Sequence, residues 1–260
     1  MSSAVFSIAE IAAQLKDLGI REGDTLLVHS SLRTLGKVEN GAEGVLKALK
    51  SILGKEGTLV MPSFQSGSEY IFASQGICFD VKNTPSECGY LTEFFRQQPD
   101  TLRSLSSTHS LAAWGRHAAG LLSDHEKCSV TTGWGSPFEK FIDLGGKVLM
   151  LGAVRGSNTL MHHLENTGGA PTLCAISFET SVITRSGEKI LTPIYPHMPG
   201  LHRDYSKAID LLEQAGGLSA GPVGNAQCEL YDARKLRSVV YEALRKNPCA
   251  FLKVFTPGKA

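Results

Sequence analysis

Apolar positions along the chain fall into short segments that switch between helical and strand spacing. Ile8, Ile11, Ala12, Leu15 and Leu18 recur at helical intervals and stop at Gly19, which predicts a helix ending near 18. After the turn Arg21–Asp24, Thr25–Val28 reads as a strand buried on both faces, and its end delivers His29, Ser30 and Ser31. Gly41–Leu53 carries Val45, Leu46, Leu49 and Ile52 on one helical face, and Thr58–Met61 is a second short apolar run ending at Pro62. Strand, loop, helix and strand in that order predict a βαβ-type unit with parallel pairing.

The pattern then breaks. Gln65–Pro85 is rich in Ser, Gly, Asn and Asp and reads as one long loop, of the kind that is functional or mobile in compact domains. Beyond it the spacing predicts a helix over Tyr90–Gln98, a strand over Leu111–Trp114 and a helix over Ala118–Leu122. A helix opening at Pro137 should stop at Gly145 and Gly146. Lys147–Leu151 is another buried strand, and a helix beginning near Asn158 or Thr159 would carry His162 and Glu165. Cys174–Ile183 alternates as a strand, Ser186 and Gly187 suggest a hairpin turn before Lys189–Thr192, and Asp204–Gln214 and Ala233–Leu244 are amphipathic helices. Ala250–Val254 would be a last strand. With no repeat and no linker, the expected architecture is α/β: one domain over 1–260, with a mixed, largely parallel central sheet flanked by helices, inserted loops and an antiparallel element.

Composition narrows the function classes. In 260 residues, 26 Lys and Arg stand against 25 Asp and Glu, a net charge of +1, which disfavours a nucleic-acid partner held by bulk charge. Six cysteines form no CxxC pair, so reduced, buried thiols are expected. Met1–Glu10 lacks the basic start and apolar run of a secretory signal, and no segment approaches a membrane span; a soluble, cytoplasmic protein with no membrane partner is expected.

Two groups of residues could carry chemistry. His29, Ser30 and Ser31 sit at the carboxyl end of a buried strand, where α/β sheets gather ligands, although Ser30 or Ser31 could equally cap a turn. No GxGxxG stands at this junction and no GxxxxGK[ST] occurs, which removes the main support for a dinucleotide or P-loop site. His162 and Glu165, three apart on a helix, share a face. The carboxylate can hold one ring nitrogen and leave the other as a base, yet two surface residues would show the same spacing. His163 points about 100° away and reads as structural. Eight histidines include no HExxH, and no metal is expected. His109, followed by Ser110, and Asp80 in the long loop are candidates for substrate or coenzyme contact, with a backbone-bonded His and a solvated acid as the alternatives.

Taken in order, these segments resemble the aminoglycoside N3-acetyltransferase family. The resemblance rests on Leu27–Leu32 (LVHSSL), Gly57–Ser63 (GTLVMPS), Phe79 and Asp80 with Thr84, Pro85, Ser86 and Gly89, and Arg103 with Ser104. It continues through His109–Gly115 (HSLAAWG), Gly135–Pro137, the strand ending at Gly152, Asn158–Glu165 (NTLMHHLE) and Gly221–Ala226 (GPVGNA). It implies a cytoplasmic antibiotic-resistance type of enzyme that transfers acetyl from acetyl-CoA to a primary amine of an aminoglycoside or related amino sugar or aminocyclitol, in a ternary complex. His162 would be the general base and Glu165 its orienting partner. His29, Ser30, Ser31 and Ser110 would lie along the coenzyme, and Asp80 and His109 toward the amine substrate; homodimer formation stays open. The alternatives are another acyl-CoA used on a small biosynthetic amine, or a coenzyme-binding homologue without catalysis. One departure bears on the acceptor: members commonly carry a His–Pro pair shortly after the Arg–Ser, and Ser106 and Ser107 stand there instead. His109 matches a subgroup with His–Ser at that place, whose natural acceptors are not all drugs. A polycationic acceptor would need local carboxylates, which Asp80, Glu87, Glu93 and Glu165 could supply.

Overall fold

A computed structural model describes residues 5–253. Among these, seven strands form a central sheet in the spatial order Leu218–Val223, Ala226–Asp232, Lys147–Leu151, Thr25–Ser30, Thr58–Pro62, Leu111–Gly115, Leu102–Arg103. The sheet is mixed, and its parallel part is confined to the centre. Thr25–Ser30 runs parallel to both of its neighbours, with Leu26 opposite Leu59 on one side and Leu27 opposite Val148 on the other. The four outer pairings are antiparallel.

The parallel centre lies where the sequence is apolar on both strand faces. Leu26, Val28, Leu59 and Met61 point to one side, under the helices Ile8–Leu18 and Gly41–Leu53. Leu27, Val60, Val148 and Met150 point to the other, under Pro137–Asp143, Leu160–Gly168, Ser206–Gln214 and Ala233–Lys246. Both faces are thus covered, as a parallel sheet requires. The first helix ends as read: Gly19 adopts φ 118° and donates its N–H to the last turn, while Ser7 and Glu10 form a reciprocal cap at the start.

Three expectations are corrected. Gln65–Pro85 is not one loop: it holds the helix Glu69–Ser74 and the strand Cys78–Asp80. That strand pairs with Ser181–Ile183, itself paired with Lys189–Leu191 across the expected hairpin turn, so two insertions meet in a small second sheet. These strands span three residues each, too few for alternation to register in a polar stretch. Cys174–Ile183 is correspondingly a strand only at its end, preceded by single bridges at Leu173–His197 and Phe178–Ile194. Ala250–Val254 is not a strand over its described part. Leu252 makes a single bridge to Arg203, and Val254 lies outside the described residues. The hairpin Leu218–Val223 and Ala226–Asp232 has little strand signal in its first arm, LSAGPV, because Gly and Pro are depleted in strands and Pro is tolerated only at an edge, where this arm lies.

Arg103 locks the insertions to the sheet. Its buried guanidinium donates to the carbonyls of Ser63 (2.7 Å), Val81 (3.1 Å) and Thr84, and it lies 4.4 Å over the Phe79 ring. All six cysteines are free, but only Cys228 is buried; Cys78 and Cys249 are exposed, which corrects the expectation of buried thiols. No helix among the described residues is long and apolar enough to cross a membrane.

Two buried histidines make the fold acid-sensitive. Burial pushes His29 and His125 down to about 4, and His125 is held neutral by accepting from Ser104 Oγ (2.8 Å) while donating Nε2–H to Thr131 O (2.7 Å). The unfolded chain binds these two protons near pH 6.5, the folded one only near 4. Stability is therefore complete above about 6.5 and falls as pH drops toward 4, by up to about 3 kcal/mol per group. Urea unfolding at pH 7.5, 6 and 5 should show this uptake; a midpoint unchanged between 7.5 and 5 would contradict it.

Candidate active site

His162 and Glu165 sit on the helix Leu160–Gly168. It opens where Asn158 Oδ1 accepts from the Leu160 N–H (3.2 Å) and closes at Gly169 in the left-handed conformation. Leu160, Met161, His163 and Leu164 are buried, and His163 donates to Thr132 O (3.0 Å), the structural role expected of it. His162 faces the other way, with 26% of its side chain exposed, while that of Glu165 is 1% exposed. Helical spacing does bring the pair to one face. Their closest approach, Nδ1 to Oε2, is 3.8 Å, beyond a hydrogen bond.

Tyr205 fills that gap. Its hydroxyl donates to Glu165 Oε2 (2.8 Å) and accepts from His162 Nδ1–H (3.0 Å). Burial, and then Glu165, push the Tyr205 phenol above its ordinary range, so it stays protonated and remains a donor to the carboxylate. The relay assigns the proton of neutral His162 to Nδ1 and leaves the Nε2 lone pair open. Arg203 Nε donates to the same Oε2 from 2.8 Å. Burial of Glu165 opposes its ionisation, but His162 and Arg203 more than offset this and hold it below the usual carboxylate range. Burial likewise draws His162 far below its ordinary value, against the pull of Glu165, which keeps the ring neutral and able to accept a proton. Tyr205 and Arg203 lie some forty residues beyond Glu165, and no local spacing links them to it.

A second carboxylate stands beside the first. Glu69, at the start of the helix Glu69–Ser74, accepts from Thr108 Oγ1 (2.7 Å), Thr131 Oγ1 (2.8 Å) and His109 Nδ1 (3.1 Å) on one oxygen. On the other it accepts from the His197 N–H (2.8 Å) and His197 Nδ1 (2.5 Å). Burial opposes its charge, but the two imidazoles hold its carboxyl well below the usual range. Asn166 Nδ2 donates to His197 Nε2 (3.1 Å). The His197 ring lies 4.7 Å from that of His162, and His109 lies 5.8 Å from His162. Glu69, His109 and His197 are close enough to surround a cation. In the structure five N–H and O–H donors occupy that carboxylate, so the set is built as a hydrogen-bonded cluster. Glu69 lies in a stretch read as loop and His197 between two prolines; neither carried a sequence signal beyond its residue type.

The strand ends supply an adjoining cavity of about 200 Å³. His29, Ser30, Phe64, Cys88, Ser157 and Thr159 are among its walls, and Phe64 packs 5.1 Å from the His109 ring. His29 and Ser30 thus line a small cavity beyond the carboxyl ends of the strands, while Ser31 spends its N–H on Leu151 O. Two candidates are engaged elsewhere. The Ser110 hydroxyl is wholly buried and bonded to Ser104 O (2.7 Å), leaving no surface for a coenzyme. Asp80 is occupied by its own turn, accepting from the N–H groups of Lys82 (2.8 Å) and Asn83 (2.9 Å) and from Asn83 Nδ2 (2.8 Å). The other carboxylates that could meet a cationic acceptor already have partners: Glu87 binds the Ser66 N–H, Glu93 pairs with Arg96, and Glu165 with Arg203.

A family model described as aminoglycoside 3-N-acetyltransferase matches residues 27–245. An aminoglycoside N(3)-acetyltransferase III of Salmonella sp. is 32% identical, covering 91% of each chain, and the YokD acetyltransferase-like protein of Bacillus subtilis is 29% identical, covering 85% of this chain and 86% of its own. Among solved structures, AAC-IIIb in a binary complex with CoASH superposes with a TM-score of 0.81 at 28% identity, covering 94% of this chain and 97% of that one. A mutant AAC(3)-IVa in complex with a gentamicin gives 0.83 at 27%, covering 98% and 94%. Fold and sequence together define an enzyme, an N-acetyltransferase that uses acetyl-CoA. The chain belongs to the aminoglycoside 3-N-acetyltransferase family.

Proposed function

We propose that the acceptor is a primary amine of an aminoglycoside or a related amino sugar or aminocyclitol, and that His162 is the base that activates it. The observation that carries this reading is the relay from His162 Nδ1–H through the Tyr205 hydroxyl to Glu165, which leaves Nε2 unprotonated at an open face. An amine attacks a thioester only through its lone pair and must shed a proton as the C–N bond forms. Nε2 takes that proton, and the imidazolium is stabilised by Glu165 across Tyr205. Collapse of the tetrahedral intermediate breaks the C–S bond, and the thiolate takes the proton back. Direct transfer then needs amine and thioester held together, which supplies much of the acceleration by orientation.

His29 and Ser30 would face the coenzyme in the cavity they line. Six free thiols and acetyl-CoA as donor suit a cytoplasmic setting. A panel of acyl-CoAs against gentamicin, 2-deoxystreptamine and small biosynthetic amines, read by release of free thiol, tests the reading. Acetyl-CoA with an amino-sugar or aminocyclitol amine should give the highest kcat/KM. A clear preference for another acyl group, or for a simple alkylamine, would transfer the assignment to a metabolic acyltransferase.

A further inference from the structure

The chemistry above uses one imidazole, yet the site holds three, and only two of them have a free ring nitrogen. His197 is engaged at both nitrogens, by Glu69 at Nδ1 and Asn166 at Nε2. His162 and His109 each give Nδ1 to a carboxylate system and have no partner for Nε2 among the described residues. Neither Nε2 is sealed inside the protein, unlike those of His29 and His163. His109 Nδ1 is surrounded by the Glu69 carboxylate and the hydroxyls of Thr131 (2.9 Å) and Thr108 (3.3 Å), and both hydroxyls give their own protons to Glu69. Every acceptor near Nδ1 therefore asks for an N–H there, and the lone pair is placed on Nε2. The two imidazole rings lie 5.8 Å apart, each backed by a different buried carboxylate.

We propose that His109 and His162 together form the subsite for the reacting amine, with His109, backed by Glu69, acting as a second base. The proposal rests on the acetyl-transfer reading and deepens it. The proton balance gives the reason for two bases. An amine enters near neutral pH as R–NH3⁺ and leaves as R–NH–COCH3, losing two protons, of which the departing thiolate needs one. His109 Nε2 takes the first, and the amine lone pair is freed; the resulting imidazolium faces Glu69. That lone pair attacks the thioester carbon and the carbonyl π pair moves to oxygen. His162 Nε2 takes the second proton, the C–S bond breaks with its electron pair on sulfur, and His162 protonates the thiolate. His109 returns its proton to solvent. The sum is R–NH3⁺ plus CH3CO–S–CoA giving R–NH–COCH3, HS–CoA and H⁺. The same pair of lone pairs recognises an ammonium by hydrogen bonding without a free carboxylate, which fits a site whose two acids are already paired.

The groups facing His109 are Glu69, His162, His197 and, beyond Ser104, His125; Arg203 joins the set through Glu165. The test uses the full chain with acetyl-CoA and gentamicin or 2-deoxystreptamine, read by thiol release. His109→Ala should lower kcat/KM for the amine by about 10² or more, leave CoASH affinity within about threefold, and recover roughly tenfold when free imidazole is added, which a merely structural loss would not do. Activity of His109→Ala within about threefold of the unmodified chain would overturn the assignment while leaving His162 in place. An unmodified chain inert toward both amines would sink the acetyl-transfer reading, and this one with it. Should the variant fail to fold, ¹⁵N NMR of the histidine rings in the unmodified chain with CoASH decides: protonated Nδ1 and bare Nε2 on His109 are expected, and an Nε2–H tautomer would overturn the proposal.

Discussion

Replacing His162 with alanine is expected to lower turnover by about 10²-fold or more, the usual scale for loss of a general base, with CoASH affinity nearly unchanged. The two effects separate because the His162 ring is not among the walls of the cavity that His29, Ser30 and Ser157 line, so truncating the imidazole removes the proton acceptor and leaves those walls intact. The ring is drawn down by burial, so it remains neutral well below pH 6.5. An acid limb in kcat/KM near 6.5 should accordingly not arise from His162. Steady-state kinetics with a parallel CoASH titration measures both quantities. Unchanged turnover in the alanine variant would remove His162 as the base, and lost CoASH binding would turn its role into one of coenzyme placement.

Glu165→Ala should be the most damaging single change to stability and should cost activity as well. Glu165 Oε2 receives Arg203 Nε and the Tyr205 hydroxyl in a pocket where the Glu165 side chain is 1% and that of Arg203 15% exposed. Deleting the carboxylate strands a buried guanidinium whose Nη2 already has no partner, and breaking such a pair costs about 3–5 kcal/mol. The double variant Glu165→Ala/Arg203→Met restores an uncharged, filled pocket. Chemical denaturation should show most of the loss recovered, while turnover remains depressed because Tyr205 no longer has an acceptor to orient it against His162. Recovery of both would mean that Glu165 serves stability alone. Failure to recover stability would mean that Arg203 is not what the carboxylate offsets.

The fold was legible where one segment makes a complete element. The helices Ile8–Leu18 and Gly41–Leu53 and the strand Lys147–Leu151 have the bounds that their apolar spacing and terminal glycines predict, because the burying face is written within a dozen consecutive residues. Among the elements that were missed, Glu69–Ser74, Cys78–Asp80 and the Leu218–Val223 arm are short or lie at an edge; Ala226–Asp232, seven residues inside the sheet, was missed as well, and these strands are held by pairing with other segments.

The site divides along the same line. His162 and Glu165 could be paired from spacing, since 3.6 residues per turn put them on one face whatever the surroundings. Their separation of 3.8 Å, and the need for Tyr205 to bridge it, could not. Asp80 had the right residue type, yet its oxygens close a local turn; the acid hydrogen-bonded to His109 and His197 is Glu69, carried there by a helix unseen in the sequence. Near-balance of 26 basic and 25 acidic residues likewise said nothing about which carboxylates meet which cations. Chain order and periodicity settle contacts within one element, whereas hydrogen bonds between residues 40 to 128 positions apart, such as Glu165 to Tyr205 and Glu69 to His109 and His197, exist only after the sheet and its two insertions have packed.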